Sequence, residues 1–192
     1  LAVVRTGTGA NQTSVYINGA LDGSFTSATT FVNGSNTIGA ASYSLGAALF
    51  PGYISNLRII NGQALYTGAF TPSTTPLTAV ANTQLLTCQS NRLIDNSVNN
   101  ITITKNGDTT VSPANPFTTV YQAGTQYYSN YFNGSTDYLS ITNNANLQMG
   151  TGDFTVEFWI YQTSLSGSLV IMEIGRPSAT SVVGFQIDVV NG

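Results

Sequence analysis

The chain has 192 residues, and its hydrophobic residues, 42% of the total, are enough to bury one sizeable core or two small ones. Charged residues make up 7%, against roughly 25% in an ordinary soluble domain, so Ser, Thr, Asn, Gln and Gly must cover most of the surface. A net charge of −3 with five basic residues leaves no basic patch, which argues against binding to nucleic-acid phosphates or to an anionic membrane.

Short strands are predicted from the beginning of the chain, where polar and apolar residues alternate. The pair Asn18-Gly19 separates two short runs in "SVYINGALDGSF". Asn-Gly accepts the positive φ that a type I′ turn requires at both central positions. We therefore predict a β-hairpin here.

A longer strand is predicted within "PGYISNLRIINGQALYTGAF" (51–70). Leu57 and Ile59 share one face of this strand, which we expect to point to the core. Ile54 has the wrong phase for that face. This mismatch predicts a bulge, or a position at the rim of the sheet, near Ser55.

Two proline-containing breaks follow in the middle of the chain. Residues 71–78 are predicted to form a linker or an extended segment over the surface. Residues 112–117 form the second break. Short strands are predicted between the breaks, at 83–91 and 99–107. Cys88 lies in the first of these strands; we expect it to pack as a small hydrophobic residue, with an intermolecular bridge as the alternative.

The clearest strand is "DFTVEFWIY" (153–161), which follows a predicted hairpin at 131–141. In the strand, alternate residues form an apolar face for the core, namely Phe154, Val156, Phe158 and Ile160. In the hairpin we expect inward positions at Phe132, Leu139 and Ile141. With 167–175 and 183–192, about ten short strands spaced by turns predict an all-β, antiparallel fold.

Three stretches then show a resemblance to a known family. "YFNGSTDYLSI" with "GTGDFTVEFWIY" (131–161) resembles the opening of laminin-G-like domains, within the concanavalin A-like lectin/glucanase superfamily. "LAVVRTGTGANQTSVYINGALDG" (1–23) is similar to a later part of the same domain, and residues 37–66 to its closing segment. "GAFTPSTTPL" (68–77) resembles tails in phage and marine-virus structural proteins. The resemblance implies an antiparallel jelly-roll β-sandwich.

The resembling segments occur in reversed order. Residues 1–80 resemble the C-terminal half of one laminin-G-like domain, residues 120–192 the N-terminal half of a following one, and residues 81–119 a connector with short strands. Three arrangements stay open at this point. The chain could be a segment of a tandem array, as its first residue, Leu1, also suggests; its two halves could fold together as a circular permutant; or neighbouring chains could exchange halves into a fibre. A segment would leave open strand edges at Val3-Val4 and Val189-Val190.

The residue inventory argues against catalysis. The chain has no histidine and one cysteine, which excludes Ser-His-Asp and Cys-His nucleophiles and zinc clusters. Asp153 and Glu157 share a strand face, but their separation of about 13 Å exceeds either glycosidase geometry. We therefore expect a non-enzymatic protein without a cofactor.

A calcium ion is harder to exclude than a zinc cluster. Many relatives of the resembled family bind an ion at the rim of the sandwich, and Asp137 and Asp153 lie at strand edges where they could contribute carboxylate oxygens. The alternative is that each aspartate bonds the backbone of its own turn.

The best candidate for ligand binding is the face formed by Glu157, Trp159 and Tyr161. Aromatic rings can stack on the apolar C–H faces of sugars, and a carboxylate beside them can accept hydrogen bonds from sugar hydroxyls. The alternative is that the opposite sheet or a loop covers Trp159.

These observations lead to one expected function and two alternatives. We expect a structural and adhesion module on a virion or cell surface, of tail-fibre or capsid-decorating type. Its partners would be other surface subunits, with homo-oligomers expected, and a glycan; its location would be the virion surface or the extracellular space. The alternatives are a carbohydrate-binding module of a secreted enzyme and a fibre subunit built on exchanged half-domains.

Overall fold

The computed structural model describes residues 1–46, 48–117, 127–164, 166–175 and 184–190. The boundary predicted at residues 119 and 120, and both ends of the strand predicted at 183–192, lie outside the described residues. One turn of 3-10 helix spans Ala145–Leu147. Thirteen strands are found in the described part: β1 (Ala2–Arg5), β2 (Thr13–Ile17), β3 (Ala20–Phe25), β4 (Asn36–Ile38), β5 (Pro51–Asn61), β6 (Thr83–Thr87), β7 (Ile103–Asn106), β8 (Thr110–Ser112), β9 (Ser129–Asn133), β10 (Tyr138–Ile141), β11 (Phe154–Gln162), β12 (Ser168–Ile174) and β13 (Phe185–Val190).

These strands form two antiparallel sheets. The larger sheet has eight strands in the order β3-β2-β1-β11-β5-β9-β8, and β6 pairs with the second half of β5 on the same side as β9. The smaller sheet has five strands in the order β13-β12-β4-β10-β7. The predicted all-β, antiparallel class is confirmed.

The two sheets enclose one hydrophobic core, which gives a sandwich-like architecture. The predicted inward positions of the hairpin and of β11 are confirmed, with Ile160 only partly buried at the core edge. The larger sheet contributes Val3, Ile54, Leu57, Ile59, Leu85, Phe132, Phe154, Val156 and Phe158, and the smaller sheet Ile38, Leu139, Ile141, Met172, Ile174, Phe185 and Ile187.

Strands from distant parts of the chain alternate within both sheets. In the larger sheet β11 lies between β1 and β5, with Val156 opposite both Val3 and Ile59. In the smaller sheet β4 lies between β10 and β12. The segments 1–80 and 120–192 thus pair with each other in one chain, and the strands of the connector join the same two sheets.

The edge at Val3-Val4 is closed on both sides. Val3 lies opposite Val15 in β2 and opposite Val156 in β11. The expectation of an open edge there is wrong, because the missing neighbour comes from the same chain. β13, which holds Val189 and Val190, pairs only with β12 among the described strands.

Two local predictions of backbone geometry are confirmed. Asn18 and Gly19 have φ values of 52° and 80°, both in the left-handed region that a type I′ turn needs. The bulge near Ser55 falls at Asn56, whose φ is 55°. Ser55 lies opposite Trp159 and Arg58 opposite Glu157, so β5 carries one extra residue over this interval.

A fully buried arginine joins β1 to the loop before β11. The Arg5 guanidinium donates to the carbonyl oxygens of Gly152, Thr29 and Gly150 at 2.8, 3.0 and 2.6 Å. Its Cζ lies 4.9 Å from the ring centroids of both Phe31 and Phe154. Carbonyl oxygens and ring faces both attract a cation, so this buried charge stabilises the junction.

Cys88 is buried in the core, as predicted for a small hydrophobic residue. Burial raises the pKa of its thiol to about 12. The burial gives no support to an intermolecular bridge, because a thiol must reach the surface to form one.

The contact between Gly39 and Phe132 offers a test of how the two segments pack together. Gly39 has a φ of 86°, and a Cβ there would lie 2.6 Å from the Phe132 ring. Gly62 has a φ of 87°, but a Cβ on this residue would meet no other atom within 4 Å, which makes it a matched control. We expect Gly62→Ala to cost about 1 kcal/mol from backbone strain, and Gly39→Ala about 1–3 kcal/mol more from overpacking.

Urea denaturation of both variants measures these costs. Equal destabilisation by the two substitutions would show that Gly39 and Phe132 do not pack against each other. Replacing Phe132 with Leu in the Gly39→Ala background should recover part of the added cost, because it removes the ring that the methyl group meets.

Candidate functional site

Three tyrosines form a row across the outer face of the larger sheet. Tyr131 on β9, Tyr53 on β5 and Tyr161 on β11 are direct cross-strand partners. The ring centroids of Tyr131 and Tyr53 are 5.0 Å apart, and those of Tyr53 and Tyr161 are 6.2 Å apart. Their neighbours Ile54 and Phe132 point into the core, so the three rings point away from it.

A cleft of about 380 Å³ lies beside this row. Trp159 and Ser55 face each other across β11 and β5, and Ser129 on β9 continues the floor. The loop after β8 forms the opposite wall. The lining residues are Tyr53, Ser55, Ala114, Asn115, Pro116, Ser129, Trp159, Ile160 and Tyr161.

Trp159 is partly covered by the loop that forms this wall. The Phe117 ring meets the Trp159 ring edge-on with centroids 5.4 Å apart, and Tyr127 meets Phe117 at the same distance. Trp159 nevertheless lines the cleft, and Tyr161 beside it is 68% exposed. The covering loop therefore holds the indole ring in place and leaves part of it accessible.

The two serine hydroxyls in the floor of the cleft differ in their hydrogen bonding. Ser55 Oγ donates to the Tyr128 carbonyl oxygen at 2.7 Å and accepts from Asn56 Nδ2 at 2.8 Å. Ser129 is 1% exposed, and its Oγ has no hydrogen-bond partner among the described residues. No charged side chain occurs among the described residues that line the cleft.

Glu157 does not belong to this cleft. Its Oε1 accepts from Arg58 Nε and Nη2 at 2.9 and 2.5 Å, and its Oε2 accepts from the Tyr66 hydroxyl at 2.8 Å. Both oxygens are engaged and the residue is 4% exposed. The expectation that Glu157 offers an acceptor to a ligand beside Trp159 is corrected here, because its cross-strand partner is an arginine.

The ion pair lies beneath residues 62–78, which we call the cover segment. Arg58 Nη1 donates to the Thr78 carbonyl oxygen at 2.6 Å, and the Tyr66 and Phe70 rings stack with centroids 3.6 Å apart. Burial and the neighbouring Glu157 carboxylate raise the pKa of Tyr66. The prediction of an extended segment over the surface at 71–78 is confirmed, since Leu77 N also bonds Asn56 Oδ1 at 2.7 Å.

Asp137 is a turn-stabilising residue in this structure. It is 1% exposed, and its carboxylate accepts hydrogen bonds from the backbone N–H groups of Asp108 and Asn133 at 2.7 and 3.1 Å and from the Thr136 hydroxyl at 3.1 Å. These bonds agree with the alternative to a calcium ligand, in which the aspartate bonds the backbone of its own turn.

Asp137 and Asp153 cannot hold the same calcium ion. Asn133, which Asp137 bonds, lies opposite Pro51 at the start of β5. Phe154, next to Asp153, lies opposite Asn61 at the other end of that strand. A strand of 11 residues separates the two aspartates by about 30 Å. Among the described residues, no group of three or more His, Cys, Asp or Glu side chains could hold a metal ion.

Comparisons with known proteins do not assign this chain to a family. No family model, curated protein or solved structure matches this chain. No helix in the described part of the chain is long and apolar enough to cross a membrane.

Sequence reasoning found Trp159 and Tyr161 but missed Tyr53 and Ser129. Without the bulge at Asn56, Tyr53 would share the inward phase of Leu57; the extra residue turns it outward. The same bulge prediction, applied to residues before Ser55, could have placed Tyr53 on the outer face. Nothing in the sequence marks Ser129, because its place depends on which strand pairs with β5.

The buried ion pair predicts a non-additive response to substitution. Glu157→Leu should cost about 3–5 kcal/mol, because it leaves the Arg58 guanidinium buried without its carboxylate. The double variant Arg58→Met/Glu157→Leu should cost less than this single variant, because no buried charge remains. Urea denaturation of the two single variants, Arg58→Met and Glu157→Leu, and of the double variant measures these costs. A double variant whose cost equals the sum of the two single costs would contradict the pairing.

Tyr66 predicts a loss of stability at alkaline pH. Its pKa is raised in the folded protein, so its contribution is fully present below the unfolded value near 10 and is lost as pH rises above that value. We expect the free energy of unfolding to fall more steeply between about pH 10 and 12 in the wild type than in Tyr66→Phe. Denaturation of wild type and Tyr66→Phe across this pH range tests the expectation. Free energies of unfolding that fall in parallel for the two proteins would contradict it.

Proposed function

We propose that this chain is a non-enzymatic structural and adhesion module of a virion or cell surface, and that it binds a glycan in the cleft on the outer face of the larger sheet. The observation that carries the proposal is the cleft itself, where Trp159, Tyr53 and Tyr161 surround a floor of serines. Concave sites with aromatic walls and a few polar groups are typical of small-ligand binding.

The chemistry of the cleft suits a sugar. Sugar rings present apolar C–H faces that stack on aromatic rings, and their hydroxyls both donate and accept hydrogen bonds, as serine hydroxyls do. Trp159 and Tyr161 lie on β11 and pair there with Ser55 and Tyr53 of β5, which anchors the aromatic platform on that side and makes it rigid. A rigid platform lowers the entropic cost of binding.

For the fold we propose an antiparallel jelly roll of the laminin-G-like, concanavalin A-like type. Two antiparallel sheets around a common core support it, together with the resembling segments at 1–23 and 131–161. β1 and β11, which carry the core of those segments, lie side by side. The reversed order of the halves is then a permuted arrangement of that domain, and we propose that such units derive from a tandem array.

We propose a protein without catalytic activity, and the engagement of two candidate acidic residues, Glu157 and Asp137, by other groups of the protein supports this. Glu157 is engaged by Arg58 and Tyr66, and Asp137 by the backbone of its turn. Assembly with other surface subunits, including copies of this chain, and a virion-surface or extracellular location are part of the proposal. They are supported by a surface in which charged residues are few.

The same cleft would serve the alternative of a carbohydrate-binding module in a secreted enzyme. Exchange of half-domains between chains has less support, because the pairing of β1 with β11 is made within one chain.

A glycan array with purified wild type and variants tests the proposed function. We expect binding to at least one glycan, and a loss of at least about tenfold in affinity for both Trp159→Ala and Tyr161→Ala, since aromatic anchors dominate such sites. Phe25→Ala is the matched control, because Phe25 is 47% exposed and lies on β3 at the far edge of the sheet. Absence of binding to every glycan, or equal loss in the control, would overturn the proposal.

A further inference from the structure

We propose that the cleft takes an uncharged oligosaccharide and that the Ser129 hydroxyl is a specificity-determining group, which bonds one hydroxyl of the sugar. This inference rests on the proposed glycan binding and adds the charge, the length and the recognition contact of the ligand.

The Ser129 hydroxyl carries the first step of the inference. It lines the cleft, is 1% exposed, and has no hydrogen-bond partner among the described residues. A buried hydroxyl without a partner costs folding free energy. Ser55 on the neighbouring strand has both a donor and an acceptor in the protein, so the two serines of the floor differ in this respect. A hydroxyl that can donate and accept matches a ligand hydroxyl in either role.

The preference for an uncharged ligand follows from the lack of charge among the described residues of the cleft. None of the nine described residues that line it is charged, and two thirds of these nine are aromatic, aliphatic or proline residues. A carboxylate or sulfate on a sugar would lose its hydration here without meeting a cation, which is unfavourable. The nearest ion pair along β5 and β11, Arg58 with Glu157, is buried beneath the cover segment and satisfied internally. The cleft therefore discriminates against anionic sugars.

The tyrosine row carries the third step. Tyr53 and Tyr161 line the cleft, and Tyr131 continues the row beside it on the next strand. The row of three therefore spans about 10 Å across the sheet. This length exceeds one hexose ring. A ligand that contacts the whole row must have more than one sugar unit and must run across the strands rather than along them.

Isothermal titration calorimetry with matched ligands tests these three statements on the intact chain. The probes are neutral gluco-, galacto-, manno- and N-acetylglucosamine oligosaccharides of one to four units, and the corresponding uronic-acid, sulfated and sialylated forms. We expect affinity for at least one neutral series to rise from one to three units. The anionic counterpart of that series should bind at least about tenfold more weakly.

Ser129→Ala, measured with the same neutral series, tests the recognition contact. We expect about a tenfold loss of affinity, equivalent to about 1.4 kcal/mol, with thermal stability unchanged or raised because an unpartnered hydroxyl is removed. Monodeoxy versions of the best trisaccharide then identify the bonded hydroxyl. One monodeoxy sugar should bind wild type about tenfold more weakly than the parent trisaccharide does. The same monodeoxy sugar and the parent trisaccharide should bind Ser129→Ala with equal affinity.

Each outcome has a distinct meaning. Equal affinity for neutral and anionic forms would overturn the statement on charge, and affinity that does not rise beyond one unit would overturn the statement on length. Unchanged affinity of Ser129→Ala, or a deoxy effect that persists in that variant, would overturn the role of Ser129. These results would leave glycan binding itself intact. Failure of wild type to bind any of the sugars would overturn both the inference and the proposed function.

Discussion

The placement of β11 between β1 and β5 is the constraint on which the rest of the molecule depends. Both neighbours come from the first 61 residues, whereas β11 begins at Phe154. Its inward side chains complete the core, and its outward side chains supply both the partner of Arg58 and the aromatic wall of the cleft. Removing this one strand would separate β1 from β5, open the core and dismantle the site together.

Local features of the fold were predictable from the sequence because they depend on neighbouring residues. The turn at Asn18-Gly19 follows from residue types that tolerate positive φ, and the bulge near Ser55 follows from a break in apolar alternation. The pairing of strands was not predictable in the same way. Alternation shows which face of a strand is buried but carries no information on which strand lies beside it. The sequence alone therefore does not show that the segments 1–80 and 120–192 meet within one chain.

The site was predictable only in the part that a single strand determines. Alternation along β11 places Trp159 and Tyr161 on one face, and it places Glu157 on the same face. What engages Glu157 and keeps it out of the cleft is the arginine on the neighbouring strand, beneath the cover segment. Tyr53 and Ser129 enter the cleft through pairing across strands. The composition of a site built across three strands depends on contacts between residues far apart in the sequence.

The long separation between paired strands also bears on how the chain reaches its folded state. β5 ends at Asn61 and β11 begins at Phe154, so on a ribosome that adds about 5–20 residues per second β1 and β5 would wait for about 5–20 seconds for the strand between them. During that interval both present unpaired backbone edges rich in Val and Ile, of the kind that promotes aggregation. Such non-local pairing also slows folding. Efficient biogenesis would therefore benefit from a chaperone, or from any neighbour that shields these edges until β11 emerges.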